Sequence, residues 1–192
     1  KNQDARFTLI GTSVFWGTGS TLRFLLVAWV PAALLIMDNQ TAANLSGVVA
    51  IGIALGAAAA ARYVHLHTVN RALPAGLLIG VLIIAFAHIT NLPGAVILLI
   101  LIGACGGFYV VPLNALLQER GHQTVGSGHA IAVQNFFENF SMMLMVGIYV
   151  LMTGAGLSAV DAATGFGVLV TLAIGVLSWV RIRQAKSSAH LG

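Results

Sequence analysis

Long apolar runs separated by short polar intervals dominate the chain. Six runs fall at about residues 7–37, 41–64, 72–89, 93–118, 125–153 and 158–182. Each approaches or exceeds the roughly 20 helical residues that a hydrocarbon core near 30 Å requires. The breaks carry turn or polar residues: Asp38-Asn39-Gln40, Arg62 to Arg71, Thr90 to Gly94, Glu119 to Gly126, and Gly154 to Asp161. Open strand edges are forbidden in lipid, and a membrane barrel would alternate apolar and polar positions where these runs do not. The predicted fold is therefore an all-α integral membrane bundle of six spans, over residues 1–182, with a tail over 183–192.

Two of the runs carry polar stripes. On a helical wheel, Thr12, Trp16, Gly19, Ser20, Arg23 and Val27 of the first span share one face. In the fifth, Ser127, Gln134, Asn135, Glu138, Asn139 and Ser141 gather opposite Val133, Phe136, Phe137, Phe140 and Leu144. Asn114 and Gln118 share a face of the fourth. Ionised groups at bilayer depth cost about 2.5–3.5 kcal/mol each on insertion scales, so Arg23 and Glu138 need a reason to be there. Two readings stand side by side: a structural ion pair knitting the bundle, or an Arg23 that attracts an anionic group while Glu138 balances or gates that charge.

Small residues mark where helices approach closely. Gly52, Gly56 and Ala60 recur every four residues in the second span, and Gly103 and Gly107 do so in the fourth, the small-xxx-small pattern of tight membrane packing. Val30-Pro31 and Val111-Pro112 lie late in the first and fourth spans. That correspondence fits a three-plus-three inverted repeat, a recurrent transporter device.

Composition agrees with the membrane reading. Only 7% of the 192 residues are charged, against about 25% in soluble domains, and mean hydropathy is +0.95. The net charge of +4 would suggest nucleic acid in a soluble chain, but eight of the nine Lys and Arg fall on one side of the bundle. These are Lys1, Arg6, Arg62, Arg71, Arg120, Arg181, Arg183 and Lys186; the ninth is Arg23. By the positive-inside rule both termini are expected in the cytoplasm. Cys105 is the single cysteine, which excludes a disulfide framework. His65 and His67 lack a third ligand nearby, so no metal site and no cofactor are expected. Asp occurs only at 4, 38 and 161, outside the spans, which leaves an intramembrane enzyme without its acids and no catalytic residue to name. The chain opens on Lys-Asn-Gln-Asp and not on Met, as expected of a fragment or of a processed chain.

Several stretches resemble the bacterial lysophospholipid transporters of the major facilitator superfamily. They are Gly11-Thr12-Ser13-Val14-Phe15-Trp16-Gly17, Thr21-Leu22-Arg23-Phe24-Leu25-Leu26-Val27, Ala130-Ile131-Ala132-Val133-Gln134-Asn135 with Glu138-Asn139, and, most specifically, Val110-Val111-Pro112-Leu113-Asn114-Ala115-Leu116-Leu117-Gln118-Glu119-Arg120-Gly121. The likeness runs from about Arg6 to Val180 and matches the C-terminal six-helix half of a twelve-span protein. It implies movement of lysophosphatidylethanolamine and lysophosphatidylglycerol from the outer to the inner leaflet of the bacterial inner membrane. Reacylation by a cytoplasmic-face acyltransferase with acyl carrier protein synthetase activity would follow. The partners implied are the lysophospholipid, the missing N-terminal half and that enzyme. It further implies that the first and fourth helices line the cavity, while the second and fifth meet the other half. Arg23, Trp16, Ser20, Asn114 and Gln118 would then bind substrate, with Glu138, Gln134, Asn135 and Asn139 balancing charge or gating. One departure is plain: Arg62 and Arg71 stand in the second loop without the Asp of the superfamily's usual motif. Other expectations compatible with the residues are an exporter of drugs or small metabolites, and a structural membrane subunit.

Overall fold

The computed structural model describes residues 3–124 and 126–189, with the side chains of all but 124 and 185–189. Lys1, Val125 and residues 190–192 of the expected tail therefore lie outside the described residues, as does the side chain of Lys186. The described residues form six long helices: α1 (Gln3–Leu34), α2 (Asn39–Tyr63), α3 (Leu73–Ala87), α4 (Leu92–Thr124), α5 (Ser127–Gly154) and α6 (Ala159–Ala189). A 3-10 segment, Leu66–Ala72, leads into α3 and completes the third span. All six are long and apolar enough to cross a bilayer, and the chain is a multi-pass membrane protein.

Helix ends follow local chemistry. α1 stops at Leu34 because Leu35 turns into the left-handed region at φ 58°, a conformation that closes many helices but strains a side chain with a Cβ. The Asp38 carboxylate then accepts the Thr41 backbone N–H at 2.6 Å and starts α2; that bond holds its carboxyl below the ordinary value. Pro31 and Pro112 sit inside α1 and α4, which continue through them. α4 extends six residues past the expected boundary at Gln118. The polar turn Glu119 to Thr124 is helical because its side chains bond along the helix, Gln123 Nε2 donating to Glu119 Oε1 at 2.6 Å. α6 likewise continues as helix to Ala189.

The pairing of helices carries an internal symmetry. α1 packs on α5, α2 on α4, α3 on α6, and α1 crosses α4. Exchanging helices one to three with four to six maps every one of these contacts onto another, or onto itself. Two of the lesser contacts obey the same exchange, α1 with α6 matching α4 with α3, and α1 with α2 matching α4 with α5, whereas the small contact of α5 with α6 has no equal between α2 and α3. Since successive spans alternate in direction, the two units run oppositely, as an inverted repeat requires.

The tightest crossing is α2 on α4. A Cβ on Gly52 or Gly56 would collide with the backbone of Ile100 or Ala104, and one on Gly103 or Gly107 with that of Val49 or Ile53. The expected small-residue stripes thus meet face to face. Gly80 and Gly167 play the same part between α3 and α6. At the end opposite the arginines, Trp29 packs against Phe86 with the rings tilted and their centroids 4.1 Å apart, and donates its Nε1–H to the Ala87 carbonyl at 3.1 Å. At the arginine-bearing end, the Arg183 guanidinium lies 3.9 Å over the Trp179 ring, a pairing suited to the membrane interface.

Burial is uneven. In their most apolar stretches only 22% of α2 and 17% of α5 is buried, against 44% of α1 and 50% of α4. α2 and α5 are thus the open flanks of the bundle.

Because the α2–α4 contact is backbone on backbone, Gly56→Leu should cost about 3 kcal/mol, the upper end of overpacking. Thermal unfolding in detergent checks this, with Gly47→Leu, which meets nothing within 4 Å, as a neutral control.

Candidate functional site: a cleft around Arg23

A lone hydroxyl in hydrocarbon must find an acceptor, and most of those on α1 find it on their own helix. Ser13 donates to the Leu9 carbonyl at 2.7 Å, Thr18 to Val14 at 2.7 Å and Thr21 to Gly17 at 2.9 Å. Thr12 donates to Leu9 at 3.2 Å. All four are buried. Ser20 differs: it is half-exposed and makes no hydrogen bond among the described residues. It lines a cleft of about 210 Å³ between α1, α2 and α5.

Arg23 and Trp16 line the same cleft, one turn to either side of Ser20. Arg23 is exposed and has neither hydrogen bond nor ion pair among the described residues. The walls are otherwise largely apolar: Phe15, Leu22 and Leu26 from α1, Val49, Ala50 and Ile53 from α2, and Met142 from α5, with Ser46 the further hydroxyl. The Ser46 hydroxyl is satisfied by the Ala42 carbonyl at 3.0 Å. An open guanidinium beside a free hydroxyl, an indole and an apolar wall can take an anionic oxygen at one end and hydrocarbon at the other.

Glu138 is not its partner. It is 8% exposed and accepts from Gln134 Nε2 at 2.8 Å, while the same nitrogen reaches Asn114 Oδ1 at 2.9 Å. Asn114, Gln134 and Glu138 thus form a polar tie between α4 and α5. Gln118 is exposed and borders a small cavity of about 70 Å³ between the same helices, shared with Gln134 and Ser127. Asn135 and Asn139 are exposed on α5, joined by Asn139 Nδ2 to the Asn135 carbonyl at 2.7 Å. The residues expected to bind substrate therefore fall into two groups, Trp16, Ser20 and Arg23 in the cleft, Asn114 and Gln118 with α5.

The expected α1 stripe needs one correction. Thr12 is fully buried, because the adjoining Gly11 lies against Tyr109, Leu113 and Leu177, so α4 and α6 cover α1 there. The stripe opens only from Trp16 onward.

The strongest electrostatic feature lies outside the expected site residues. Asp4 bridges two helices, its Oδ1 2.6 Å from Arg181 Nη1 and its Oδ2 3.1 Å from Arg120 Nη2. Arg181 also donates Nε–H to Asn70 Oδ1 at 3.1 Å and lies 4.8 Å over the Phe7 ring. One carboxylate thus ties the start of α1 to α4, α6 and the 3-10 segment. The available signal was scarcity, since Asp4 and Glu119 are the two acids at the end where eight cations collect. Among the described residues no three His, Cys, Asp or Glu side chains gather as a metal site.

Over 184 residues, 96% of its length, the chain is 57% identical to lysophospholipid transporter LplT of Shigella boydii. The likeness is to transporters of lysophospholipid. The same protein name, identity and coverage recur in relatives from Escherichia coli and Escherichia fergusonii. The chain spans about half the length of these curated relatives, 46% of each. No family model matches the chain, and no solved structure matches it.

Replacing Asp4 by Ala leaves two part-exposed arginines without their shared carboxylate. The expected cost is about 1 kcal/mol, modest because solvent screens them. Hydrogen exchange should accelerate in the first two turns of α1, and raised salt should narrow the difference from the parent chain.

Proposed function

We propose that this chain is the C-terminal half of a bacterial inner-membrane lysophospholipid transporter, moving lysophosphatidylethanolamine and lysophosphatidylglycerol from the outer to the inner leaflet. The observation that carries this reading is the unpaired Arg23 guanidinium, open in a largely apolar cleft. A lysophospholipid has one acyl chain, which is at home against Phe15, Leu26 and Ile53, and one phosphate, which is not. Arg23 supplies the phosphate with charge-assisted and, if both oxygens align, bidentate hydrogen bonds. The Ser20 hydroxyl, left without an internal acceptor, adds a neutral bond to phosphate or glycerol. The likeness to transporters named for this substrate supports the same chemistry.

A half-cleft must be closed by something. The open flank of α2 and the face of α5 that carries Asn135, Asn139 and Met142 suit docking of an N-terminal six-helix half, and the Arg23 cleft lies between those two helices. Transport on this reading is binding and rocking with no covalent change. The polar tie of Asn114, Gln134 and Glu138 would brace α5 against α4 as the halves move. Delivered lipid would then be reacylated by an acyltransferase at the cytoplasmic face.

The test is uptake of labelled lysophosphatidylethanolamine by the complete protein in vesicles. Arg23→Ala should lower uptake about 10- to 100-fold, the loss of a charged hydrogen bond of roughly 1.5–3 kcal/mol, while membrane insertion is unchanged. Arg23→Lys should recover part of it, because the charge remains without the planar fork. Unimpaired uptake in Arg23→Ala would sink the phosphate role, and efflux of drugs in place of lipid movement would favour an exporter.

A further inference from the structure

Arg6 stands at the meeting of two clefts that have no residue in common with the Arg23 cleft. The first, about 300 Å³ between α1 and α6, has a polar rim of Gln3, Arg6, Arg181 and Gln184. The second, about 490 Å³ between α1 and α5, is walled chiefly by Ile10, Val14, Phe137, Phe140 and Leu144. Arg6 and Ile10 line both, so a cationic pocket runs into an apolar groove.

The charges are unequal in their commitments. Arg181 is engaged by Asp4 at 2.6 Å and by Asn70. Arg6 is exposed and makes no hydrogen bond or ion pair among the described residues. Depth matters too. From Arg6 to Val14 a helix rises about 12 Å, the better part of one leaflet's hydrocarbon. The positive-inside rule puts Arg6 at the level of cytoplasmic headgroups. A protein surface covering this groove would need to bring its own carboxylate to Arg6, whereas a lipid has its phosphate at that height already.

We propose that the α1–α5 groove is a binding site for an anionic diacyl phospholipid of the cytoplasmic leaflet, its phosphate on Arg6 and one acyl chain along Val14, Phe137, Phe140 and Leu144. The site is distinct from the transport cleft and does not rest on what Arg23 binds. Its occupant would fill the gap between α1 and α5 near the Asp4 tie, steadying the two helices whose separation shapes the Arg23 cleft further along.

The complete protein, purified in mild detergent and assayed by native mass spectrometry with added phosphatidylglycerol, tests this. The parent protein should retain phosphatidylglycerol over phosphatidylethanolamine. Arg6→Glu should reduce that retention at least about tenfold through loss of a charge-assisted bond, and Arg6→Lys should restore most of it. Val14→Trp, which fills the groove without touching the charge, should also expel the lipid, whereas Arg23→Ala should leave it bound. Retention unchanged in both Arg6→Glu and Val14→Trp would overturn the proposal. So would displacement by lysophosphatidylethanolamine at equal concentration, which would make the groove part of the substrate's path. Efficient cross-linking of a cysteine at Phe140 to the N-terminal half would overturn it as well, by showing the groove covered with protein.

Discussion

Helices in a bilayer gain no hydrophobic energy from hiding apolar side chains, because lipid is as apolar as the partner helix, so closeness of approach has to hold them. Here that closeness is concentrated where Gly52 and Gly56 of α2 meet Gly103, Ala104 and Gly107 of α4. Backbone touches backbone, dispersion contacts are dense, and no side chain can be inserted between. The rest of the arrangement follows from this weld. With α2 fixed to α4, and α1 crossing α4 at Gly11 against Tyr109 and Leu113, α1 is covered near its start. Further along, its Trp16, Ser20 and Arg23 face are left open beside α2. The cleft is a consequence of where the helices are allowed to touch.

Polar groups divide along the same line. Where α1 is covered, hydroxyls are turned back onto their own helix, and the buried Thr12, Ser13, Thr18 and Thr21 are all satisfied there. Between α4 and α5 the amides and carboxylate satisfy one another. At the arginine-bearing end, Asp4 compensates Arg120 and Arg181. Arg23 and Ser20 in one cleft and Arg6 at the head of another stand outside this internal accounting, and so, among the described residues, do the buried hydroxyls of Tyr109, Tyr149 and Ser178. An ionised group at bilayer depth is costly without a counter-charge, so the exposed and unpaired Arg23 is the member of this remainder with most to gain from an anion in its cleft.

The six spans were legible because length and apolarity alone determine them, and the glycine stripes were legible because only small residues permit a backbone crossing. Partner choice was not. Arg23 and Glu138 look like a pair in the sequence, being the two charges at bilayer depth, yet Glu138 is buried and taken up by Gln134 of its own helix, which also reaches Asn114 of α4. Wheel positions give the face of a helix but not what covers it, which is why Thr12 looked continuous with Trp16 and Arg23 and is instead enclosed. The helical continuation of α4 beyond Gln118 was hidden by its polarity, since a hydropathy reading ends where the bilayer does while the helix ends where its hydrogen bonds do. Asp4 carries no local signal, because its partners Arg120 and Arg181 lie more than a hundred residues away in the chain.

The separation of Glu138 from Arg23 bears on mechanism. Had the carboxylate neutralised the guanidinium, an incoming phosphate would have to break an ion pair in low dielectric, losing on one side much of what it gained on the other. With Glu138 held by an amide, Arg23 keeps its full attraction for an anion, and the desolvation cost of the bare charge is lessened by the cleft's opening. On the proposed reading, a phosphate bound there would pair with that exposed charge and bring an acyl chain with it, a complex better suited to the hydrocarbon than the bare guanidinium. A carrier of that kind would be easier to reorient loaded than empty, because an unpaired guanidinium resists enclosure until its counter-charge arrives.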